Sequence, residues 1–278
     1  KTERTMKMSG VDWEKYIPVM KERREWMMQQ PHEDVWITSH DVLKLHGTYF
    51  KGDEGNKAVI CFHGYTSEGL NDYGSLSHYY LKHGFRMLLI DLRAHGKSEG
   101  EHIGFGNMDR LDGMRWVQWM VEKMGEDAQI LLHGNSMGSA TVCMMSGLEL
   151  PPQVKGIISD CAFTSMKEVF THVLHSMYHI PAFPMLQIAD WANKRQVGYG
   201  LDDLSSAREV RKAKVPFLFI HGEDDVFVPC WMTEEIYKNC ASPKTKLIVK
   251  GAGHGESYYK DTEGYERAMD SFIGGIIK

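Results

Sequence analysis

In the stretch LLHGNSMGS, residues 131–139, a small serine stands between two glycines, after an apolar run and before a second one. Gly134 to Gly138 read G-N-S-M-G and fit the pattern G-x-S-x-G, in which the glycines relieve crowding around a strained strand-to-helix turn that projects the serine hydroxyl outward. QILLHGN before Ser136 has the look of a core strand, and MGSATVCMMSGL after it of a helix. The free N–H groups and positive end of a helix start favour an oxyanion. The chemistry indicated is nucleophilic attack on a carbonyl.

A serine hydroxyl is a poor nucleophile near neutral pH unless a base lies within hydrogen-bond reach. With this turn the partners follow in the chain order serine, acid, histidine. Beyond residue 225 the sequence holds one histidine, His254, on the glycine-rich stretch KGAGHGES just after the apolar run KLIVK. The acid is expected at the end of the strand PFLFIHG, where the loop reads HGEDDVFVP. Asp225 has the better spacing, two residues past the His-Gly and two more before Val-Pro. Asp224 beside it and Asp160, ending the strand KGIISD, remain alternatives for the group that orients the imidazole. An oxyanion hole needs two backbone donors. The N–H of Met137 is one, and the N–H of Tyr65, in the loop HGYTSEG after the strand AVICF, is the other.

These residues need a scaffold. VWITSHDVLKLHGTYF alternates apolar and polar residues as an antiparallel hairpin at a sheet edge does. The runs AVICFHG, RMLLIDL, QILLHG, KGIISD, PFLFIHG and KLIVKG are continuous and short, with helical stretches between them. That pattern predicts a mostly parallel central sheet flanked by helices, an α/β class with both faces of the sheet buried. Residues 12–30 and 108–124 have helical spacing. The connection from Asp160 to Val215 is too long for a simple crossover, and a long insertion is usually functional. It predicts a helical cap over residues 164–206, inserted in a core of residues 1–163 and 207–278. Its Phe170, Met177, Tyr178, Phe183 and Trp191 are candidates for an apolar or aromatic acyl pocket, since Met and aromatic surfaces adapt to varied apolar ligands.

HGYTSEG, DLRAHGKSEG, GNSMGSAT, HGEDDVFVP and GAGHGES occur in the order and spacing of the α/β-hydrolase serine esterases, which the chain resembles from about residue 35 to its end. LLHGNSMGSATV, ISDCAFTS and FIHGEDDVFVP look like a poorly characterised bacterial group within that superfamily, known mainly as esterases. The resemblance implies the α/β-hydrolase fold and a Ser136, Asp225, His254 triad acting through an acyl-enzyme. Small, medium or aromatic acyl esters are the expected substrates, with no cofactor and no metal. Peptidase, thioesterase or acyltransferase activity on the same triad, or a catalytically silent binding protein, are the alternatives. Some members of the group carry an N-terminal membrane segment, which would suit the start at Lys1.

The bulk numbers agree with a soluble enzyme. The 278 residues are 42% hydrophobic and 25% charged, and the net charge of -5 lacks the basic excess that binds nucleic acid. Runs such as MLLI are far shorter than the roughly 20 residues that span a bilayer, so a cytoplasmic location is expected, with anchoring or export as the alternative had a segment been removed before Lys1. Five cysteines form no C-x-x-C pair, and Cys230 and Cys240 would stand about 15 Å apart on a helix, too far for a disulfide. Free thiols follow, with Cys61 and Cys143 in the core. AHGKSEG suggests a phosphate loop, but the glycine required five residues before Gly96 is Asp91. His172, His175 and His179 share a helix face, yet no carboxylate or cysteine completes a metal site. His63, His133 and His221, each before a strand-end glycine, are expected to support the site from behind.

Overall fold

The computed structural model describes residues 9–53 and 55–278. Its strands are β1 (His32–Thr38), β2 (Lys44–Phe50), β3 (Lys57–Phe62), β4 (Arg86–Ile90), β5 (Gln129–Asn135), β6 (Val154–Asp160), β7 (Phe217–Gly222) and β8 (Lys244–Val249). They form one sheet in the order β1-β2-β4-β3-β5-β6-β7-β8. β1 and β2 are the expected edge hairpin, antiparallel from His32 opposite Phe50 to Thr38 opposite Lys44. β2 also runs antiparallel to β4, and the remaining pairs are parallel.

The continuous apolar runs are explained by what lies on each side. Successive strand side chains point to opposite faces, so Ile60, Phe62, Leu88, Ile90, Ile130, Leu132, Phe217 and Phe219 join one core. Val59, Cys61, Met87, Leu89, Leu131, Leu218 and Ile220 join the other. The long helices cover both. They are α1 (Ile17–Met28), α2 (Asp109–Met124), α3 (Met137–Met145), α4 (Met166–Tyr178), α5 (Ala182–Val197), α6 (Cys230–Asn239) and α7 (Thr262–Ile276). Trp116 and Met120 of α2, the whole of α3, and Met232 and Ile236 of α6 pack on the first face. Met27 of α1 and Tyr265, Met269 and Phe272 of α7 pack on the second. Every residue of α3 is buried, as expected of a helix apolar all round.

Between β6 and β7 the chain makes the long helices α4 and α5, followed by short helical turns at Ser206–Glu209 and Val210–Lys212. Ser165 caps α4 by accepting the Glu168 N–H at 3.2 Å, and α4 ends where His179 adopts a left-handed backbone. The way in and the way out of this excursion lie side by side, bridged at Ser165 and Ser205, with the Ser205 hydroxyl donating to the Thr164 carbonyl at 2.8 Å. Met166, Leu186 and Leu201 form a small apolar cluster of their own, against which Phe170 and Leu174 pack. Phe183, Ile188 and Trp191 point outward. The cysteines are free thiols, Cys61 and Cys143 among the buried ones.

Candidate active site

Along the chain, β4 follows β3 on one side and β5 then returns to pair with β3 on the other. Such a reversal opens a crevice beyond the carboxyl ends of the two strands. The segments after β3, β5, β7 and β8 carry Tyr65, Ser136, Asp225 and His254.

Ser136 lies between β5 and α3 with φ 53° and ψ -113°, a backbone that side chains adopt only when their surroundings enforce it. The enforcing contacts are visible. Its N–H donates to the Asp160 carbonyl at 2.9 Å, and its carbonyl accepts the Ala140 N–H at 3.0 Å. A Cβ at Gly138 would come within 1.9 Å of the Phe62 carbonyl oxygen, and one at Gly134 within 2.3 Å of the Gly138 carbonyl oxygen. Both glycines are therefore required for α3 to start against β3, which is what makes the turn sharp.

The Ser136 hydroxyl lies 2.8 Å from His254 Nε2, and His254 Nδ1 lies 2.7 Å from Asp225 Oδ2. A carboxylate oxygen can only accept, so Nδ1 carries the ring proton and Nε2 is free to accept from the serine. Asp225 Oδ1 accepts the N–H groups of Phe227 and Val228 at 2.9 and 2.8 Å. His221 Nε2 lies 2.8 Å from the Val228 carbonyl and 3.1 Å from Asp225 Oδ2. Because that carbonyl only accepts, His221 donates from Nε2 and takes the Thr233 hydroxyl on Nδ1 at 2.7 Å. Burial opposes the charge on Asp225, yet the two imidazoles and their hydrogen bonds outweigh it and hold the carboxyl well below the carboxylate range. Burial likewise opposes protonation of His254, and the Asp225 charge and hydrogen bond reverse it, raising His254 above its ordinary value.

The two alternative acids are placed elsewhere. Asp224 is exposed. Asp160 is buried behind Ser136, where Oδ2 accepts the Tyr265 hydroxyl at 3.0 Å, and burial pushes its pKa up to about 6. Tyr265 in turn meets His133 Nε2 at 3.2 Å, and His133 Nδ1 meets the Tyr80 hydroxyl at 2.7 Å. Burial pushes His133 down to about 3. This polar chain supports the β5 turn through residues that spacing did not reveal, since Tyr80 and Tyr265 lie 53 and 132 positions from His133.

Met137 opens α3, so its N–H is among those with no acceptor inside the helix. The loop carrying Tyr65 lies against the serine: a Cβ at Gly64 would stand 3.3 Å from Ser136 Cβ. Asp72 Oδ2 takes the Gly64 N–H at 2.7 Å and the Asn135 side-chain amide at 3.0 Å, and Oδ1 takes the Ser67 hydroxyl. His63 bridges the Gly64 carbonyl and the Leu92 N–H at 2.8 and 3.0 Å, and the Thr66 N–H donates to His95 at 3.1 Å. Both neighbours of the Tyr65 amide are thus held by their own N–H groups. No sequence signal had marked Asp72 or His95.

Two cavities meet at Ser136, sharing Tyr65 and Phe227. One, of about 490 Å³, is lined by Ile103, Phe105, Phe163, Val169, Phe170 and Val173, with Tyr178 beside them. The other, of about 360 Å³, is lined by His254, Gly255, Tyr259 and, from the N-terminal segment, Trp13 and Met20. Of the five side chains expected to form a pocket, Phe170 and Tyr178 line the first cavity. Met177, Phe183 and Trp191 line neither. Phe183 and Trp191 are 72% and 64% exposed, and the Arg195 guanidinium lies over the Trp191 ring. On α4 the reason is helical phase: Val169, Phe170 and Val173 pack on the sheet core, while the buried residue of α5, Leu186, joins the separate cluster with Met166 and Leu201.

The two discounted signals have local explanations. Asp91 fastens the AHGKSEG loop through the Lys97 N–H at 2.9 Å and His46 Nδ1 at 2.7 Å, and a Cβ at Gly96 would strike the Asp91 carboxylate. Among the described residues His172, His175 and His179 do not converge on a common point. His172 Nε2 meets the Val226 carbonyl at 2.9 Å instead.

The chain belongs to the α/β-hydrolase fold family. The model of that family matches residues 57–179. The uncharacterized protein YqkD of Bacillus subtilis is 31% identical over 250 residues, 88% of this chain and 81% of that one. Among solved structures, the Pyrococcus furiosus esterase Pf2001 superposes with a TM-score of 0.74 at 22% identity, covering 90% of this chain and 93% of that one. An esterase from Exiguobacterium antarcticum gives 0.64 at 18% identity, covering 86% and 99%. At these identities the two structures show a shared fold. Among the described residues no helix is long and apolar enough to cross a membrane.

Proposed function

We propose that this chain is a serine hydrolase that cleaves carboxylic esters through an acyl-enzyme. The observation that carries the reading is the unbroken line from Ser136 through His254 to Asp225, at 2.8 and 2.7 Å, with the serine on a strained helix start in the crevice. The Ser136 oxygen attacks the ester carbonyl while His254 Nε2 takes its proton. The resulting oxyanion receives the N–H groups of Met137 and Tyr65, each such donor contributing about 3 to 4 kcal/mol in comparable sites. Collapse breaks the bond to the alcohol oxygen, which leaves with the proton from His254. Water then attacks the acyl-enzyme, gives a proton to His254, and the acid is released as that proton returns to Ser136. Asp225 holds the imidazole in the tautomer these transfers need.

The larger cavity is the acyl pocket in this reading. Its apolar lining and its volume of about 490 Å³ suit small, medium or aromatic acyl groups. Residues 164–206 act as the cap, and α4 supplies Val169, Phe170, Val173 and Tyr178 to its wall. The substrate is a neutral carboxylic ester, in keeping with the two structural neighbours being esterases.

A fluorophosphonate probe tests the mechanism by intact mass. One covalent adduct is expected on the native chain and none on Ser136→Ala. A native chain that stays unlabelled, or an adduct that survives in Ser136→Ala, contradicts the assignment.

A further inference from the structure

The smaller cavity is not walled by the excursion between β6 and β7. Its outer side comes from the N-terminal segment, which lies across the loop bearing His254. Tyr16 donates its hydroxyl to Glu256 Oε1 at 2.7 Å, and Lys15 Nζ meets the same oxygen at 3.0 Å. The other oxygen of Glu256 accepts the Gly253 N–H at 2.8 Å, directly before His254. Trp13 packs edge-on against Tyr259 at 5.7 Å, and Tyr16 lies against the same ring at 5.1 Å. Farther along, Arg24 reaches Asn71 Oδ1 at 2.7 Å. The segment is therefore fastened to the histidine loop and to the helix after the Tyr65 loop, and it presents Trp13 and Met20 to the cavity between them.

The direction of proton transfer says what this cavity holds. When the tetrahedral intermediate collapses, the electron pair of the breaking C–O bond goes to the alcohol oxygen, and that oxygen takes the proton from His254 Nε2. The alcohol must then stand on the His254 side of Ser136. His254 and Gly255 line the smaller cavity and are absent from the lining of the larger one. We infer that the N-terminal segment builds the leaving-group pocket, and that Trp13, Met20 and Tyr259 select esters of bulky, neutral, apolar or aromatic alcohols. This rests on the hydrolase reading above. The Asp72 carboxylate lines the same cavity and disfavours an anionic alcohol there. The two halves of the substrate are thus chosen by segments nearly 150 positions apart in the chain.

The test compares kcat/KM over two series with the full chain. Methyl, benzyl and 2-naphthyl acetate vary the alcohol, and methyl acetate, octanoate and benzoate vary the acyl group. In Trp13→Ala the ratio of 2-naphthyl to methyl acetate is expected to fall about tenfold or more, the scale on which apolar pockets discriminate. The ratios within the acyl series should hold, and Trp13→Phe should restore most of the alcohol preference. Fluorophosphonate labelling of Trp13→Ala, whose leaving group is only fluoride, reports whether the nucleophile is intact. An unchanged alcohol ratio overturns the inference, as does a common loss across both series, while labelling of the native chain leaves the hydrolase reading standing. A native chain with neither adduct nor turnover overturns both.

Discussion

At the scale of single residues, the balance at His254 has consequences for pH. The imidazole must be neutral to accept the serine proton, and Asp225 raises its pKa despite burial. In the pH profile of kcat/KM the rising limb should therefore centre above 6.5, the ordinary histidine value. A limb centred below 6.5 would contradict this arrangement. Stability runs the other way: protonated His254 stabilises the fold fully below 6.5, and that contribution is lost as the pH rises through the raised value. Asp225→Asn keeps the shape but lets the side chain present an N–H to His254 Nδ1, favouring the wrong tautomer. A fall in kcat on the order of 10⁴ is expected from steady-state assays, and a loss of less than tenfold would remove Asp225 from its proposed part.

At the scale of elements, the site is a set of segment ends held by buried polar anchors. In the proposed mechanism the loop after β3 matters most, because its shape decides whether the Tyr65 N–H faces the oxyanion. Asp72 fastens it through Gly64 and Ser67 and ties it to Asn135, beside Ser136. In Asp72→Asn an amide N–H₂ takes the place of one acceptor and opposes those donors. With methyl esters kcat should drop by about ten- to a hundredfold with a smaller change in KM, since less is lost than the 10² to 10³ of deleting an oxyanion donor. A change in KM alone would show that the loop serves binding and not the transition state. His63 and His221 also work at this level: His63 joins the Gly64 carbonyl to the Leu92 N–H, and His221 joins Asp225 to the Val228 carbonyl.

For the whole molecule, a buried ion cluster links the edge hairpin to the core. Arg93 donates to Asp112 of α2 at 2.7 and 2.8 Å and to Asp41, in the turn of the β1–β2 hairpin, at 2.9 and 3.1 Å. The Arg93 and Asp112 side chains are 7% and 2% exposed. Arg93→Ala leaves the Asp112 carboxylate buried without its partner, a defect that costs about 3 to 5 kcal/mol. Urea denaturation at neutral pH should show that loss as a lower midpoint with an unchanged slope, and a loss under 1 kcal/mol would mean that water or another donor replaces the guanidinium.

The sequence by itself determined whatever depends on near neighbours. Alternation of side chains marked the hairpin, continuous apolar runs marked the doubly covered strands, and Gly134 and Gly138 marked the strained turn, because strand period and backbone crowding act over a few residues. The same locality made His254 legible, for it was the one histidine left after the last core strands. Spacing along the chain favoured Asp225 over Asp224 and Asp160, but only the tertiary structure brings its carboxylate to that imidazole, since all three stand at or near strand ends and sheet order and loop path decide which one reaches it. It also decided which apolar side chains face the serine. Composition drew attention to Met177, Phe183 and Trp191, whereas the packed chain leaves these three out of the cavities and brings Phe105, Phe163 and Phe227 in from loops. Least legible was the part of Trp13 and Met20: the helical spacing of residues 12–30 was plain, but the surface that the segment covers belongs to Glu256 and Tyr259, some 240 residues later, and only the packed chain brings them together.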